Sequence, residues 1–233
     1  MKLLSLDSST PVLSAALLNE NQLAAETEQH QPPGTPNPLL SMIDGILTST
    51  GVTLADLDGF VLTHGPGSFT GLRVGLSLIK GFVLAMEKPV MGISSLEAWA
   101  RALGEKQEPV CSLLDARKGE VYYALFQNSP RGLERVGKEE VIPPGEVSSR
   151  IHQPARFTGT GVERYRNLLQ DTLGDRFLES GHDKAHTTAG AAVLAARHRF
   201  KSESTPDLRN VTLRYLRKPE AEVHYKAEPG ALH

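Results

Sequence analysis

Three stretches of this sequence combine residue types that do chemistry. Asp7-Ser8-Ser9-Thr10 ends a short apolar run. A carboxylate there can hold a cation, and the hydroxyls and turn amides can face a phosphate; the same residues also build an ordinary Asx turn. His64-Gly65-Pro66-Gly67-Ser68-Phe69-Thr70-Gly71 places three glycines within seven residues. That lets the backbone approach a ligand or another chain, with Ser68 or Thr70 capping the helix behind it. A helix start after a Gly loop suits an anion. However, no Gly-Lys-Ser/Thr follows, so it is not a Walker loop. Pro66 and Thr70 stand where a hydrolase Gly-x-Ser-x-Gly elbow needs glycine. A tight structural turn is the other reading. Asp115-Ala116-Arg117-Lys118-Gly119-Glu120 is a second acid-containing turn.

Weaker signals carry less. His182 and His186 have the i, i+4 spacing of a helical metal pair, but no third ligand accompanies them, so no metal is expected. Ser, His and Asp residues fall at no triad spacing. Cys111 sits in an apolar run and reads as core.

The elements that must position these residues follow from patterning. Residues 2–6 read as a buried strand, and residues 12–18 and 22–28 as a hairpin around Asn19-Glu20-Asn21. After a Pro/Gly-rich loop, Asn37-Pro38 opens a helix with Asn as N-cap, and Gly51 stops it. Residues 59–63 form a strand, 71–86 a helix, and 89–93 a strand. Ser94-Ser95-Leu96-Glu97 is a capping box that opens a third helix. Residues 110–114 and 121–126 repeat the opening theme of strand, Asp-containing turn, strand. This suggests two similar halves of mixed α/β order. Residues 131–144 are polar, rich in Pro and Gly, and the most variable-looking stretch. Residues 162–173 and 187–199 read as helices, and the tail from 202 as irregular. Gly71, Gly75 and Gly81 weaken the second helix, each by up to ~1 kcal/mol relative to Ala. Gly71 and Gly75 share a face, so a neighbouring helix of this chain or of a partner is expected to pack there.

Composition narrows the class. The 233 residues include 25 Lys+Arg against 27 Asp+Glu, a formal charge of −2. This balance argues against an autonomous nucleic-acid binder, though not against RNA contact inside an assembly. A single cysteine needs no oxidising compartment. The start is too short in apolar residues for a signal peptide. The longest membrane candidate, residues 71–86, contains Arg73 and Lys80, so no membrane span is expected. The expectation is a cytoplasmic protein.

Leu3 to Thr10, the run Gly65-Pro66-Gly67-Ser68-Phe69-Thr70-Gly71-Leu72-Arg73-Val74-Gly75, and Asp115 to Tyr122 together resemble the bacterial TsaB (YeaZ) family. Leu213-Arg214-Tyr215-Leu216-Arg217 also looks like that family's C-terminal pattern. The resemblance covers essentially the whole chain. It implies an α/β fold of two RNase H-like domains, of the actin/hexokinase/Hsp70 (ASKHA) type, over residues 1–105 and 106–233. It further implies a non-catalytic relative of TsaD, the subunit that transfers threonylcarbamoyl to the adenosine next to the anticodon in tRNA. Such a chain pairs with the TsaD-like subunit through first-domain helices, is joined by a TsaE-like ATPase, reaches tRNA through the complex, and self-pairs when isolated. No cofactor of its own is implied, since ATP and metal are used by the partner subunits.

The catalytic relative holds its metal with a His-x-x-x-His pair before the first helix. Here that stretch is His30 to Asn37, with one His. Asp7, Thr10, Gly65, Gly67, Ser68, Thr70, Asp115 and Arg117 match phosphate-loop or turn positions of the wider superfamily and are expected to stabilise turns. The expected partner surface is Leu39, Leu40, Ile43 and Ile46 with Gly71, Gly75, Leu78, Ile79 and Phe82. The alternative is that several of these face the domain's own sheet. A bulky residue at Gly75 is expected to abolish pairing while leaving the monomer folded. Two other activities compete. One is an ASKHA-type small-molecule kinase, which would transfer phosphoryl groups as an isolated chain. The other is a metallopeptidase, which would lose activity to chelators.

Overall fold

The computed structural model describes residues 1–130, 132–180, 184–202 and 211–217. Two five-stranded sheets share one topology. In the first, β1 (Lys2–Asp7), β2 (Val12–Asn19), β3 (Gln22–His30), β4 (Gly59–Thr63) and β5 (Val90–Ile93) lie in the order β3-β2-β1-β4-β5. In the second, β6 (Val110–Arg117), β7 (Glu120–Ser129), β8 (Gly132–Ile142), β9 (Ala155–Thr158) and β10 (Phe177–Glu179) lie in the order β10-β9-β6-β7-β8. Each sheet starts with an antiparallel meander, and its first strand then pairs in parallel with the fourth. This duplication is the two-domain RNase H-like arrangement of the ASKHA folds. Residues 132–142, to which the sequence pattern assigns no element, form a full edge strand. Their apolar residues are sparse because the strand's face is largely solvated.

The strands of the first sheet alternate cleanly. Leu4 and Leu6 face one side, with Phe60, Leu62, Leu13 and Leu17; Leu3, Ala16, Leu18 and Val61 face the other. The outer side is covered by α1 (Leu39–Thr50) and α2 (Phe69–Met86), the inner side by α3 (Ser95–Ala102) and α5 (Thr188–Ser202). α5 is rich in alanine, and Ala189, Ala192 and Ala196 meet Ala98 of α3 in one cluster. Small residues at these positions let the two helices lie close. From the other side Leu96 and Trp99 of α3, with Leu103 just after it, pack on Leu114, Tyr122 and Phe126 of the second sheet. The far face of that sheet is covered by α4 (Thr160–Leu173) and a 3-10 turn at Pro144–Ser149. The 105/106 division falls in the link between α3 and β6. Packing nevertheless crosses it, because α5 returns to the first sheet.

Local signals explain the helix ends. Asn37 Oδ1 accepts from the Leu39 amide at 2.9 Å, and Gly51 adopts φ 65° at the C-terminus of α1. Ser68 Oγ accepts from Gly71 N, so α2 begins two residues earlier than its apolar pattern suggests. With Phe69 and Thr70 included, α2 has 18 residues and a mean hydropathy of 1.5. It therefore meets a length-and-composition test for a membrane span, contrary to the reading of residues 71–86. It nevertheless lies on the sheet through Leu72, Gly75 and Ile79.

Candidate functional site

The two acid-containing turns are copies of each other in their first hydrogen bond. Asp7 Oδ1 accepts from Ser9 N at 2.9 Å, and Asp115 Oδ1 accepts from Arg117 N at 2.9 Å. Beyond that they diverge. Asp7 is fully buried; its Oδ1 also accepts from the Thr63 hydroxyl, and its Oδ2 from Thr188 Oγ1 at 2.6 Å. Thr188 is linked to Ser14 Oγ at 2.8 Å, which accepts from Ala189 N at 3.0 Å. Asp7 thus ties β1 to β4 and to the start of α5. Asp115 keeps 14% of its side chain exposed, with Oδ2 accepting from Arg164 at 3.1 Å and lying 3.8 Å from Arg117. This carboxylate holds the Arg164 guanidinium more firmly protonated than usual, mainly by charge. Thr10 is spent locally, donating to Val12 O and accepting from Val12 N.

The Gly loop is sewn to the first turn. Ser68 N donates to Ser9 O at 2.7 Å, and Ser8 Oγ donates to Gly71 O at 2.9 Å. A Cβ on Gly67 would lie 2.3 Å from Ser9 O, on Gly71 2.1 Å from Ser8 O, and on Gly75 2.3 Å from Ser8 Oγ. The glycine stripe therefore seats α2 on the Ser8-Ser9 turn, not on another helix. This overturns the assignment of Gly71 and Gly75 to a partner crossing, and with it the expectation that a bulky residue at Gly75 spares the monomer. A Cβ on Gly65 would meet Arg214 O at 2.6 Å, so the C-terminal segment packs on this loop.

The expected partner surface also needs correction. Leu39, Ile43, Ile46 and Ile79 are 0–4% exposed inside the core beneath α1 and α2 and offer a partner no surface. Their spacing faces the sheet, the alternative already open at the sequence level. Leu40 is exposed, and Leu78 and Phe82 are half-buried, with Phe82 stacked on Phe60 at 5.6 Å. Val74 and Leu84 are exposed on α2, and Leu84 at 80% is the most exposed of the large apolar residues described.

Thr10, Gly67, Ser68, Thr70, Asp115 and Arg117 line one cleft between the halves, a cavity of about 960 Å³. The same wall holds Arg164, which sequence reasoning missed, and Arg73, Tyr215 and Arg217, which it quoted for the family resemblance without giving them a site role. They come from α2, α4 and the C-terminal segment, and no local spacing links them. A contiguous pocket of about 740 Å³ shares Val12 and Glu163. His186 lies there in a loop, 3.4 Å from Glu26, rather than on a helix; His182 lies outside the described residues.

His64, at the end of β4, gives no fold signal in sequence but matters for pH. Its ring packs on Gly92, and its carbonyl accepts from Arg214 N at 2.8 Å. Burial, and then the nearby Arg214 charge, push its pKa from 6.5 down to about 4. Between pH 6.5 and 4 the unfolded chain therefore holds a proton at this residue that the folded chain refuses. The associated stability is complete above pH 6.5 and is lost as pH falls towards 4, by about 3 kcal/mol at 1.4 kcal/mol per pH unit. Urea midpoints at pH 7 and 4.5 should show this loss, and His64→Gln should flatten it. An unchanged pH slope in that variant would exclude His64 as its source.

Comparison with known proteins adds the family. A family model for TsaD, tRNA N6-adenosine threonylcarbamoyltransferase, matches residues 37–225. The tRNA threonylcarbamoyladenosine biosynthesis protein TsaB of Escherichia coli K12 is 35% identical over 178 residues, 74% of this chain and 77% of that protein. Its Haemophilus influenzae counterpart is 31% identical over 99% of this chain and 98% of its own length. YeaZ from Pseudomonas aeruginosa superposes with a TM-score of 0.77 at 28% identity, covering 92% of this chain and 99% of that one. With the duplicated sheet order, the glycine-seated helix and these relatives along its length, the chain belongs to the TsaD-like family that the model describes and, among its members, to TsaB (YeaZ).

Proposed function

We propose that this chain is a non-catalytic, cytoplasmic subunit of the tRNA threonylcarbamoyladenosine synthesis machinery that pairs with a TsaD-like catalytic subunit. A TsaE-like ATPase joins the pair, tRNA is reached through the complex, and the isolated chain self-pairs through the same face. The observation that carries this reading is the state of α2. Only Leu72, Gly75 and Ile79 of its 18 residues are buried, although its composition is apolar. Val74 and Leu84, with Leu40 of α1, form the exposed apolar part of the outer face. An apolar 18-residue helix with only three buried residues leaves apolar surface that an interaction would cover.

The buried state of Asp7 supports an accessory role over phosphoryl transfer. Both of its oxygens already accept from protein donors, so it is not poised as a base. Leu40→Asp with Leu84→Asp should leave the isolated chain folded, because both side chains point to solvent. Each carboxylate would have to be desolvated on pairing, so the double variant should weaken co-elution with the TsaD-like subunit by roughly a hundredfold or more. Pairing of the double variant at wild-type strength on size exclusion would refute this surface. Phosphoryl transfer by the isolated chain would refute the non-catalytic assignment.

A further inference from the structure

The cleft between the two halves is basic in a chain that is not. Arg73, Arg117, Lys118, Arg164 and Arg217 line it, against the carboxylates Asp115 and Glu163. The whole chain has two more acids than bases. Arg117 and Arg164 keep 73% and 50% of their side chains exposed and share the one Asp115 carboxylate, and Arg217 pairs with Glu120 at 3.5 Å; the cations still outnumber Asp115, Glu120 and Glu163.

Arg117 ends β6 opposite Glu120, and Lys118 opens the two-residue Lys118-Gly119 turn; their φ are 64° and 51°. Side chains with a Cβ rarely adopt that left-handed conformation, and a turn of this type prefers Asn before its Gly, where Lys118 stands. The turn geometry therefore does not account for two cations at this position. A ring platform completes the wall. Phe69 and Tyr215 lie 4.9 Å apart, the Arg73 guanidinium stacks 3.7 Å over Phe69, and Arg73 Nε donates to Tyr215 Oη. Tyr215 is 37% exposed. Arg217 donates to Ala116 O and so ties the segment carrying Tyr215 to the basic hairpin.

Exposed cations along a groove beside an accessible aromatic ring are the pattern that holds single strands, with phosphates on the cations and bases on the ring. We propose that this cleft binds a single-stranded RNA segment, its phosphates on Arg117, Lys118 and Arg164 and a base against Tyr215. The choice of RNA over DNA rests on the tRNA-directed reading above; the charge and the ring do not.

The test is fluorescence anisotropy of the full chain with a labelled single-stranded RNA of about 12 nucleotides, at several salt concentrations. Three phosphate contacts predict a log–log salt slope of about −2, at roughly 0.7 per contact. Arg117→Asn with Lys118→Asn removes both charges and puts at each left-handed position a residue that tolerates it, with Asn-Gly now at the turn, and Asp115 keeps its bond to the residue-117 amide. That variant should melt no lower than wild type, bind about tenfold more weakly, and show a slope shallower by about 1.4. Tyr215→Ala should weaken binding by about fivefold or more with the slope unchanged. Wild-type RNA affinity in both variants would overturn the proposal. So would binding of ATP at the cleft with none of the RNA, which would make it a small-ligand site. Pairing with the TsaD-like subunit is read separately, so failure of the wild-type chain to bind RNA while it still pairs counts against this proposal alone.

Discussion

Gly71→Ala should lower the melting temperature of this chain by roughly 6–12 °C, although alanine is the better helix former. Helix propensity alone would make the change stabilising by about 1 kcal/mol. The structure reverses the sign, because the new Cβ would lie 2.1 Å from the Ser8 carbonyl oxygen and 3.3 Å from Ser68. Neither neighbour gives way cheaply. Ser8 belongs to the turn whose next residue, Ser9, bonds to the buried Asp7, and Ser68 is the N-cap of α2 itself. To relieve the clash α2 must lift from the turn, breaking the Ser8 hydroxyl bond to Gly71 O and the Ser68 amide bond to Ser9 O. Overpacking against backbone with loss of two hydrogen bonds amounts to about 3 kcal/mol, and a domain of this size shifts by about 2–4 °C per kcal/mol. Gly81 is the control. It lies on the same helix, and a methyl added there would meet nothing within 4 Å, so Gly81→Ala should stabilise by about 0.5–1 kcal/mol. Thermal melts of the two variants beside wild type separate the accounts, because a stabilised Gly71→Ala would leave the seating of α2 without support.

The glycines show how far sequence reasoning reaches. That three of them fall within seven residues, and that Gly75 follows Gly71 on the same helical face, announces a close approach. It does not say to what, because the surface approached is the Ser8-Ser9 turn some sixty positions away in sequence, brought there by β1–β4 pairing. The helices of the first half were legible from capping residues and periodicity, since Asn37, Ser68 and Ser94 act locally. β8 was not legible, because a solvated edge strand such as Gly132–Ile142 carries few apolar residues to alternate. The apolar stripe of α1 was read correctly as a face but turned towards a partner. Leu39, Ile43 and Ile46 in fact serve the domain's own core, as the same spacing would in any helix laid on a sheet.

The charge of the cleft was hidden for a related reason. A net charge of −2 averages over the surface, whereas Arg73, Arg117, Arg164 and Arg217 belong to four separate segments that only the fold gathers. The absence of a basic run in sequence therefore did not mean the absence of a basic site.

The second large effect concerns Asp7, and it distinguishes a structural carboxylate from a vestige of catalysis. Asp7→Ala should cost about 3–5 kcal/mol, because it leaves the Ser9 amide and the Thr63 and Thr188 hydroxyls facing a buried void. The loss reaches beyond the turn, since Thr188 opens α5 and links through Ser14 to the Ala189 amide. α5 is the helix that returns from the second half to cover the first sheet, so loosening its start loosens the contact between the halves. Asp7→Asn tests the geometry without the charge. Its oxygen can keep the Ser9 and Thr63 donors, and its amide can donate to Thr188, whose hydroxyl can turn its proton towards Ser14. The cost should then fall to about 1–2 kcal/mol. A ligand-holding or catalytic carboxylate would behave in the opposite way, with Asn and Ala both removing function while stability stays near wild type. Urea titrations of the three proteins, with pairing to the TsaD-like subunit measured in parallel, decide between these. A large loss for Ala, a small one for Asn and pairing retained by Asn assign Asp7 to the joint between the halves, and equal stability in all three would remove it from that joint.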